Sequence, residues 1–244
     1  MHLALDPDSR VLVLTGAGIS AESGVPTFRD ANGLWEGHDV TEVASPEGFE
    51  RDPHLVWRFY SGRRAAMAGV VPNAGHAALV ALERQLGDRF LLATQNVDGL
   101  HAAAGSERVI EMHGNLMRTR CSGCRRRPFA DRIVYPDGEV PQCDACLAQG
   151  RVVPLRPDIV WFGEMLSPGA LGRIQRFVEQ AGRKLVFLAV GTSGLVFPAA
   201  GLVDATREVG GTSWLCNLEA PANVDAFDHV VLGPAARELP RLIG

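Results

Sequence analysis

Six short runs of apolar residues punctuate the chain: 11–14 (Val-Leu-Val-Leu), 90–94 (Phe-Leu-Leu-Ala-Thr), 109–112, 184–190, 212–217 and 229–232. Most are near-continuous and not alternating, as expected of strands covered on both faces. The first ends at Gly16-Ala17-Gly18 and the fourth at Gly191, so each predicts a buried strand entering a glycine turn. Residues 76–86 have helical spacing, with Leu79, Leu82 and Leu86 on one face and Gly87 as the stop. Strands alternating with helical stretches predict an α/β fold, a parallel sheet with helices on both faces. Residues 28–75, with Trp35, Phe49, Trp57, Phe59 and Tyr60 in broken helical patterns, do not fit that rhythm. Residues 118–156, rich in Cys, Arg and Pro, do not fit it either. Both read as insertions that build a small second lobe.

Composition narrows the class. The chain has 244 residues, 46% hydrophobic and 21% charged, which suits one large globular domain or two small ones. No apolar run approaches the roughly 18 residues of a membrane helix, and the first residues lack a basic, then apolar, leader pattern. The expectation is a cytoplasmic protein that engages no membrane. A net charge of −4 argues against a general nucleic-acid binder. Five cysteines in such a chain suggest metal or free thiols before disulfides.

Four of them stand as Cys121-x2-Cys124 and Cys143-x2-Cys146, separated by 18 residues. Two such pairs predict one closed tetrahedral S4 zinc site, structural because no position is left for water. Two disulfides or four buried thiols are the alternative. Gly123 is expected to supply freedom to the turn. Cys216 lies in an apolar run and reads as a small buried hydrophobe.

Several polar motifs follow predicted strands, where α/β enzymes place their chemistry. Gly16-Ala17-Gly18 would let backbone approach a pyrophosphate. It lacks the third glycine, and no acid stands on a strand about twenty residues on, which disfavours an ordinary NAD dehydrogenase. Gly191-Thr192-Ser193-Gly194 offers hydroxyls and amides to phosphate, and Glu219 offers a carboxylate to a ribose. Thr94-Gln95-Asn96-Val97-Asp98-Gly99-Leu100-His101 and Glu111-Met112-His113-Gly114-Asn115 complete the set. A neutral His113 would take a proton from a hydroxyl near neutral pH, whereas His101 would orient the loop.

The stretch from Gly16 to Arg29, Gly-Ala-Gly-Ile-Ser-Ala-Glu-Ser-Gly-Val-Pro-Thr-Phe-Arg, resembles the signature loop of the sirtuin family. Residues 94–101, His113-Gly114-Asn115, Gly191-Thr192-Ser193 and Asn217-x-Glu219 resemble its later motifs in order, with the cysteine quartet between them. The resemblance implies an NAD-dependent protein-lysine deacylase, a single catalytic domain over residues 1–244. It would have a Rossmann-like lobe (about 1–30, 76–115 and 157–244) and a small lobe (about 31–75, helical, and 116–156, zinc ribbon). It implies His113 as general base for a ribose hydroxyl. Gly16, Ala17, Gly18, Gly191, Thr192 and Ser193 would lie at the pyrophosphate, and Gln95, Asn96, Val97 and Asp98 at the nicotinamide ribose. Phe28 would shield the nicotinamide site and Arg29 order its loop. Asn217 and Glu219 would hold the adenosine ribose, with Ala235 near the adenine. Val160, Phe162, Gly163 and Glu164 resemble the loop that pairs with substrate backbone as a strand. In the family's reaction the acyl oxygen attacks the ribose, nicotinamide leaves, and free lysine and O-acyl-ADP-ribose result.

Tyr60-Ser61-Gly62-Arg63 resembles the class III marker of that family. On a helix over 52–68 the pair shares a face, and a phenol with a guanidinium binds a carboxylate. With Ala44 widening the pocket, acyl groups ending in an acid, succinyl and malonyl, are expected beside acetyl. Val97, Asp30 and Phe197 depart from the usual residues. Plain deacetylation, mono-ADP-ribosyl transfer, a non-catalytic NAD module and a zinc-ribbon nucleic-acid binder are the competing readings. The partners expected are acylated-lysine proteins, with no nucleic acid, and the chain is expected to be a monomer.

Overall fold

The computed structural model describes residues 2–27, 34, 35, 37–192 and 199–244. In chain order its strands are β1 (Arg10–Thr15), β2 (Leu34–Trp35), β3 (His38–Asp39), β4 (Phe90–Thr94), β5 (Val109–Glu111), β6 (Gly114–Cys121), β7 (Phe129–Ala130), β8 (Leu155–Ile159), β9 (Leu185–Val190), β10 (Thr212–Asn217) and β11 (His229–Leu232). The α-helices are α1 (Val40–Val43), α2 (Pro46–Arg51), α3 (Pro53–Ala66), α4 (Ala74–Leu86), α5 (Leu100–Ala104), α6 (Asp144–Leu147), α7 (Pro168–Ala181), α8 (Ala199–Glu208) and α9 (Ala235–Ile243).

Six strands form one parallel sheet in the order β11-β10-β9-β1-β4-β5. This is the doubly wound, Rossmann-like order, and its direction reverses between β1 and β9. Ligands of such sheets bind beyond the carboxyl ends of the strands at that point. Successive β1 side chains feed opposite cores. Val11 and Val13 pack with Leu79, Leu82 and Leu86 of α4 and Leu239 and Leu242 of α9. Leu12 and Leu14 pack with Ile174, Phe177 and Val178 of α7 and Leu202 and Val203 of α8. Burial of both faces explains why the strands read as unbroken apolar runs. Cys216 is fully buried in the first of these cores, and burial pushes its thiol up to about 12, as the small-hydrophobe reading requires.

A third core lies apart, built from Val43, Ala44, Phe49, Val56, Trp57, Tyr60, Leu116, Ile159 and Trp161 together with Cys121, Cys143 and Cys146. It gathers α1, α2 and α3 with the antiparallel sheet β7-β6-β8. Each of these helices starts on an oxygen-bearing side chain: Asp39, Ser45 and Asp52 accept from Thr41, Gly48 and Leu55 amides at 2.8, 2.9 and 2.8 Å. Among the described residues, no helix is long and apolar enough to cross a membrane.

Candidate active site

Loops leaving the carboxyl ends of β1, β4, β5, β9 and β10 meet above the sheet. The loop after β1 and the turn after β9 pack backbone to backbone. A Cβ on Gly18 would lie 2.6 Å from the Gly191 Cα, and one on Gly191, at φ +57°, would lie 2.4 Å from the Ile19 nitrogen. Gly18 donates its amide to the Gly191 carbonyl at 2.8 Å. This close approach is why glycine is required at these two positions. The cradle it leaves at the reversal point fits the phosphate-binding role expected of Gly16, Ala17, Gly18, Gly191 and Thr192. Phe28, Arg29 and Ser193 lie outside the described residues, as do Asp30, Gly194 and Phe197.

The loop after β4 is tied to both. The Asn96 amide donates to the Gly16 carbonyl at 3.1 Å and to Ser20 Oγ at 3.2 Å, and Ser20 donates to Asp98 Oδ2 at 2.7 Å. Asp98 Oδ1 accepts the Leu100 amide at 2.9 Å, which starts α5. Thr192 Oγ1 reaches across to Gln95 Oε1 at 3.0 Å, and the Val97 carbonyl accepts the Leu116 amide at 2.8 Å. Asn96 and Asp98 therefore weld two loops together. Ser20, which the expected site residues omit, is the hinge of that weld. Beneath it, Thr15 donates to Thr94 Oγ1 at 2.8 Å and stands 2.8 Å from His101 Nε2. Burial, with His76 beside it, pushes His101 down to about 3, so it stays neutral.

His113 follows β5 and is half-buried. Its Nδ1 lies 2.9 Å from the Gln95 carbonyl. A carbonyl only accepts, so Nδ1 carries the proton and Nε2 presents a lone pair. Burial lowers its pKa below the ordinary 6.5, partly offset by the bond to Gln95. The imidazole is thus neutral, and basic at Nε2, at physiological pH. Gly114 lets the chain turn there: at φ +83° a Cβ would sit 1.9 Å from the Asp158 carbonyl.

Asn217 ends β10 and is buried, its amide donating to the Glu219 carbonyl at 2.9 Å, while Glu219 is exposed beside it. Ala235 begins α9 and is buried in the first core. Glu22, from the first loop, accepts the Ala236 amide at 2.7 Å and joins that loop to α9. Nothing in the sequence marked this contact, which is 214 residues long-range.

Of the residues expected at the acyl end, Tyr60 and Ala44 lie in the third core. Tyr60 is fully buried, Ala44 is 2% exposed, and Arg63 lies one turn on, its guanidinium 5.8 Å from the Phe59 ring. Burial pushes the Tyr60 phenol up to about 12, with the Arg63 charge opposing, so the phenol is neutral. The loop after β8 joins this floor to His113: the Val160 amide donates to the His113 carbonyl and the Phe162 amide to the Ala44 carbonyl, both at 2.9 Å. Phe162 and Gly163 are exposed, whereas Glu164 turns inward to Arg156 and Arg120.

The four sulfurs of Cys121, Cys124, Cys143 and Cys146 lie within 4.8 Å of one another. Separations of 3.8 Å (Cys121 to Cys146) and 4.0 Å (Cys124 to Cys143) match the roughly 3.8 Å edge of a tetrahedron with Zn–S near 2.3 Å. All four are free cysteines, so the disulfide alternative fails, and the donor set fits one structural zinc ion. Gly123 is needed for space and not for turn freedom: a Cβ there would meet the Val153 Cγ1 at 2.8 Å.

The Sir2 family profile matches residues 16–198. A protein of Shigella flexneri called NAD-dependent protein deacylase is 47% identical over 236 residues, covering 96% of this chain and 82% of its own length. Among solved structures, a Sir2 homolog in complex with NAD superposes with a TM-score of 0.84 at 37% identity, covering 99% of this chain and 94% of that one. A Sir2 structure holding the inhibitor EX-527, 2'-O-acetyl-ADP-ribose and deacetylated p53 peptide gives a TM-score of 0.78 at 31% identity, covering 95% of this chain and 91% of that one. The reversal-point cradle, the neutral histidine beside it and the four-sulfur cluster stand in the order of the matched motifs, and the chain belongs to the Sir2 family.

Proposed function

We propose that this Sir2-family enzyme, an NAD-dependent protein deacylase, removes acyl groups ending in a carboxylate, succinyl and malonyl, as well as acetyl. Its substrates would be acylated-lysine proteins, and nicotinamide and O-acyl-ADP-ribose its products. The observation that carries this reading is the neutral Tyr60 phenol one helical turn from the Arg63 cation, in a core that also holds the small Ala44. A phenol donates one hydrogen bond to a carboxylate, and a guanidinium donates two in parallel.

When bound, NAD supplies an electrophilic ribose carbon and nicotinamide as leaving group. Gly16, Ala17, Gly18, Gly191, Thr192 and Ser193 bind its pyrophosphate, and Asn217, Glu219 and the Ala235 backbone its adenosine end. Gln95, Asn96, Val97 and Asp98 would orient the second ribose; the roles expected of Phe28 and Arg29 fall on residues outside the described ones. His113 accepts a ribose hydroxyl proton at Nε2, the nitrogen that the Gln95 bond leaves unprotonated. The Val160, Phe162 and Gly163 edge pairs with the substrate backbone, and exposed Phe162 flanks the acyl-lysine. The division into a dinucleotide lobe and a small lobe (about 31–75 and 116–156) is part of the proposal, supported by the separate third core.

The test is turnover of one peptide carrying acetyl-, succinyl- or malonyl-lysine, with NAD and mass detection of products. Succinyl- or malonyl-ADP-ribose with free lysine is expected. Turnover of the acetyl peptide alone would make this a plain deacetylase, and ADP-ribose on protein without deacylation would make it a mono-ADP-ribosyltransferase.

A further inference from the structure

We infer that Trp161 is a positioning residue for acyl selection, because its indole N–H holds the Tyr60 hydroxyl as a donor toward the acyl end. The inference rests on the carboxylate-reading role of Tyr60 and Arg63.

A phenol oxygen has one hydrogen to give and two lone pairs to accept with. The Trp161 Nε1–H donates to Tyr60 Oη at 3.0 Å, across 101 residues of chain, with both rings buried. An indole N–H cannot accept, so the phenolic hydrogen must point elsewhere. Among the described residues Trp161 is the one hydrogen-bond partner of that hydroxyl. A phenol receiving a bond at oxygen is also polarised as a donor, which suits an anionic acceptor.

The indole is itself held from every side. The Arg156 guanidinium lies 3.3 Å from its ring centroid, and Phe49 packs 5.3 Å away. Arg156 grips Glu164 through two bonds, Nη1 to Oε1 at 2.7 Å and Nη2 to Oε2 at 2.9 Å, and Arg120 adds a third at 3.1 Å. Glu164 Oε2 in turn accepts the Trp161 backbone amide at 2.8 Å. The amides on either side of Trp161 donate to His113 and Ala44 carbonyls. One residue thus joins the candidate base, the substrate-pairing edge and the acyl floor. Glu164 neutralises Arg156 beside the ring.

The experiment is a double-mutant cycle on matched succinyl- and acetyl-lysine peptides, with Trp161→Phe, Tyr60→Phe and the double variant. Trp161→Phe keeps an aromatic ring under Arg156 and removes the N–H along with part of the ring volume, so the sulfur analogue of the indole is the volume-matched control. The succinyl-to-acetyl ratio of kcat/KM should fall about fivefold, the worth of one neutral hydrogen bond, through KM for the succinyl peptide. In the Tyr60→Phe background, removing the N–H should leave the ratio unchanged. Where Trp161→Phe fails to fold, an indole analogue with sulfur in place of the N–H at position 161 makes the same test at constant volume. A ratio lowered by Tyr60→Phe but within twofold of wild type in the Trp161 variant overturns the inference alone. Equal falls with and without the Tyr60 hydroxyl overturn it as well. A ratio untouched by Tyr60→Phe overturns the carboxylate-reading site, and the inference with it.

Discussion

Arg64, next to the proposed acyl-reading Arg63, should be the costliest single side chain to remove from the third core. All five of its N–H groups are used: Nε to the Leu116 carbonyl at 2.9 Å, Nη1 to Asp131 and the Ile133 carbonyl at 3.1 and 2.9 Å, and Nη2 to the Arg118 carbonyl and Thr119 Oγ1 at 3.2 and 2.9 Å. The Arg64 and Asp131 side chains are 0% and 3% exposed. Arg64→Leu would strand the Asp131 charge, with only Thr119, Tyr135 and the Ile133 amide left to it. Breaking a buried pair from one side costs roughly 3–5 kcal/mol, a large share of the 5–15 kcal/mol that holds a domain folded. Arg64→Lys keeps the charge but not the fork, so about half that loss is expected. The surface pair Arg126–Asp144, 38% and 77% exposed, supplies the contrast, and Arg126→Ala should cost under about 1 kcal/mol. Urea unfolding of the zinc-loaded protein, followed by circular dichroism, measures all three. A loss below about 1 kcal/mol for Arg64→Leu would refute the reasoning.

Three further outcomes follow from the site. The pH profile of kcat/KM should fall on the acid side with a midpoint below 6.5, because burial lowers the His113 pKa and the reaction needs its neutral form; a midpoint above 6.5 would contradict this. His101, held near 3 when folded against 6.5 when unfolded, refuses a proton that the unfolded chain accepts, so its contribution is complete above pH 6.5 and is lost as pH falls from 6.5 toward 3. Between pH 7 and 4 that is roughly 3 kcal/mol, and His101→Gln should flatten the measured stability curve by that amount, equal slopes being the contrary result. Metal analysis should find one zinc ion per chain and none in Cys146→Ser, with the third core loosened and NAD binding to the large sheet retained.

The large sheet was legible because burial on both faces writes itself as unbroken apolar runs: 90–94 and 212–217 match β4 and β10 residue for residue. The zinc site was legible because a C-x2-C pair encodes its geometry locally. Helix α7 carries a stripe of Ile174, Phe177, Val178 and Ala181, but its other positions are polar enough that no unbroken run announces it. Strand β6 hid for a different reason: a register shift between Asn115 and Thr119 breaks its alternation. The contacts that make the site work were out of reach for a physical cause. Arg64 to Asp131 spans 67 residues, Asn96 to Ser20 spans 76, and Trp161 to Tyr60 spans 101. Such pairs arise from the packing of separate elements, and no local spacing predicts them.

The most direct measurement is the succinyl-to-acetyl ratio of kcat/KM for wild type and Arg63→Met on one peptide sequence. Wild type should favour succinyl-lysine, and Arg63→Met should lower the ratio at least about tenfold, since a hydrogen bond to a charged group is worth roughly 1.5–3 kcal/mol. A wild type that prefers acetyl-lysine, with a ratio unmoved by Arg63→Met, would contradict the carboxylate-reading pocket.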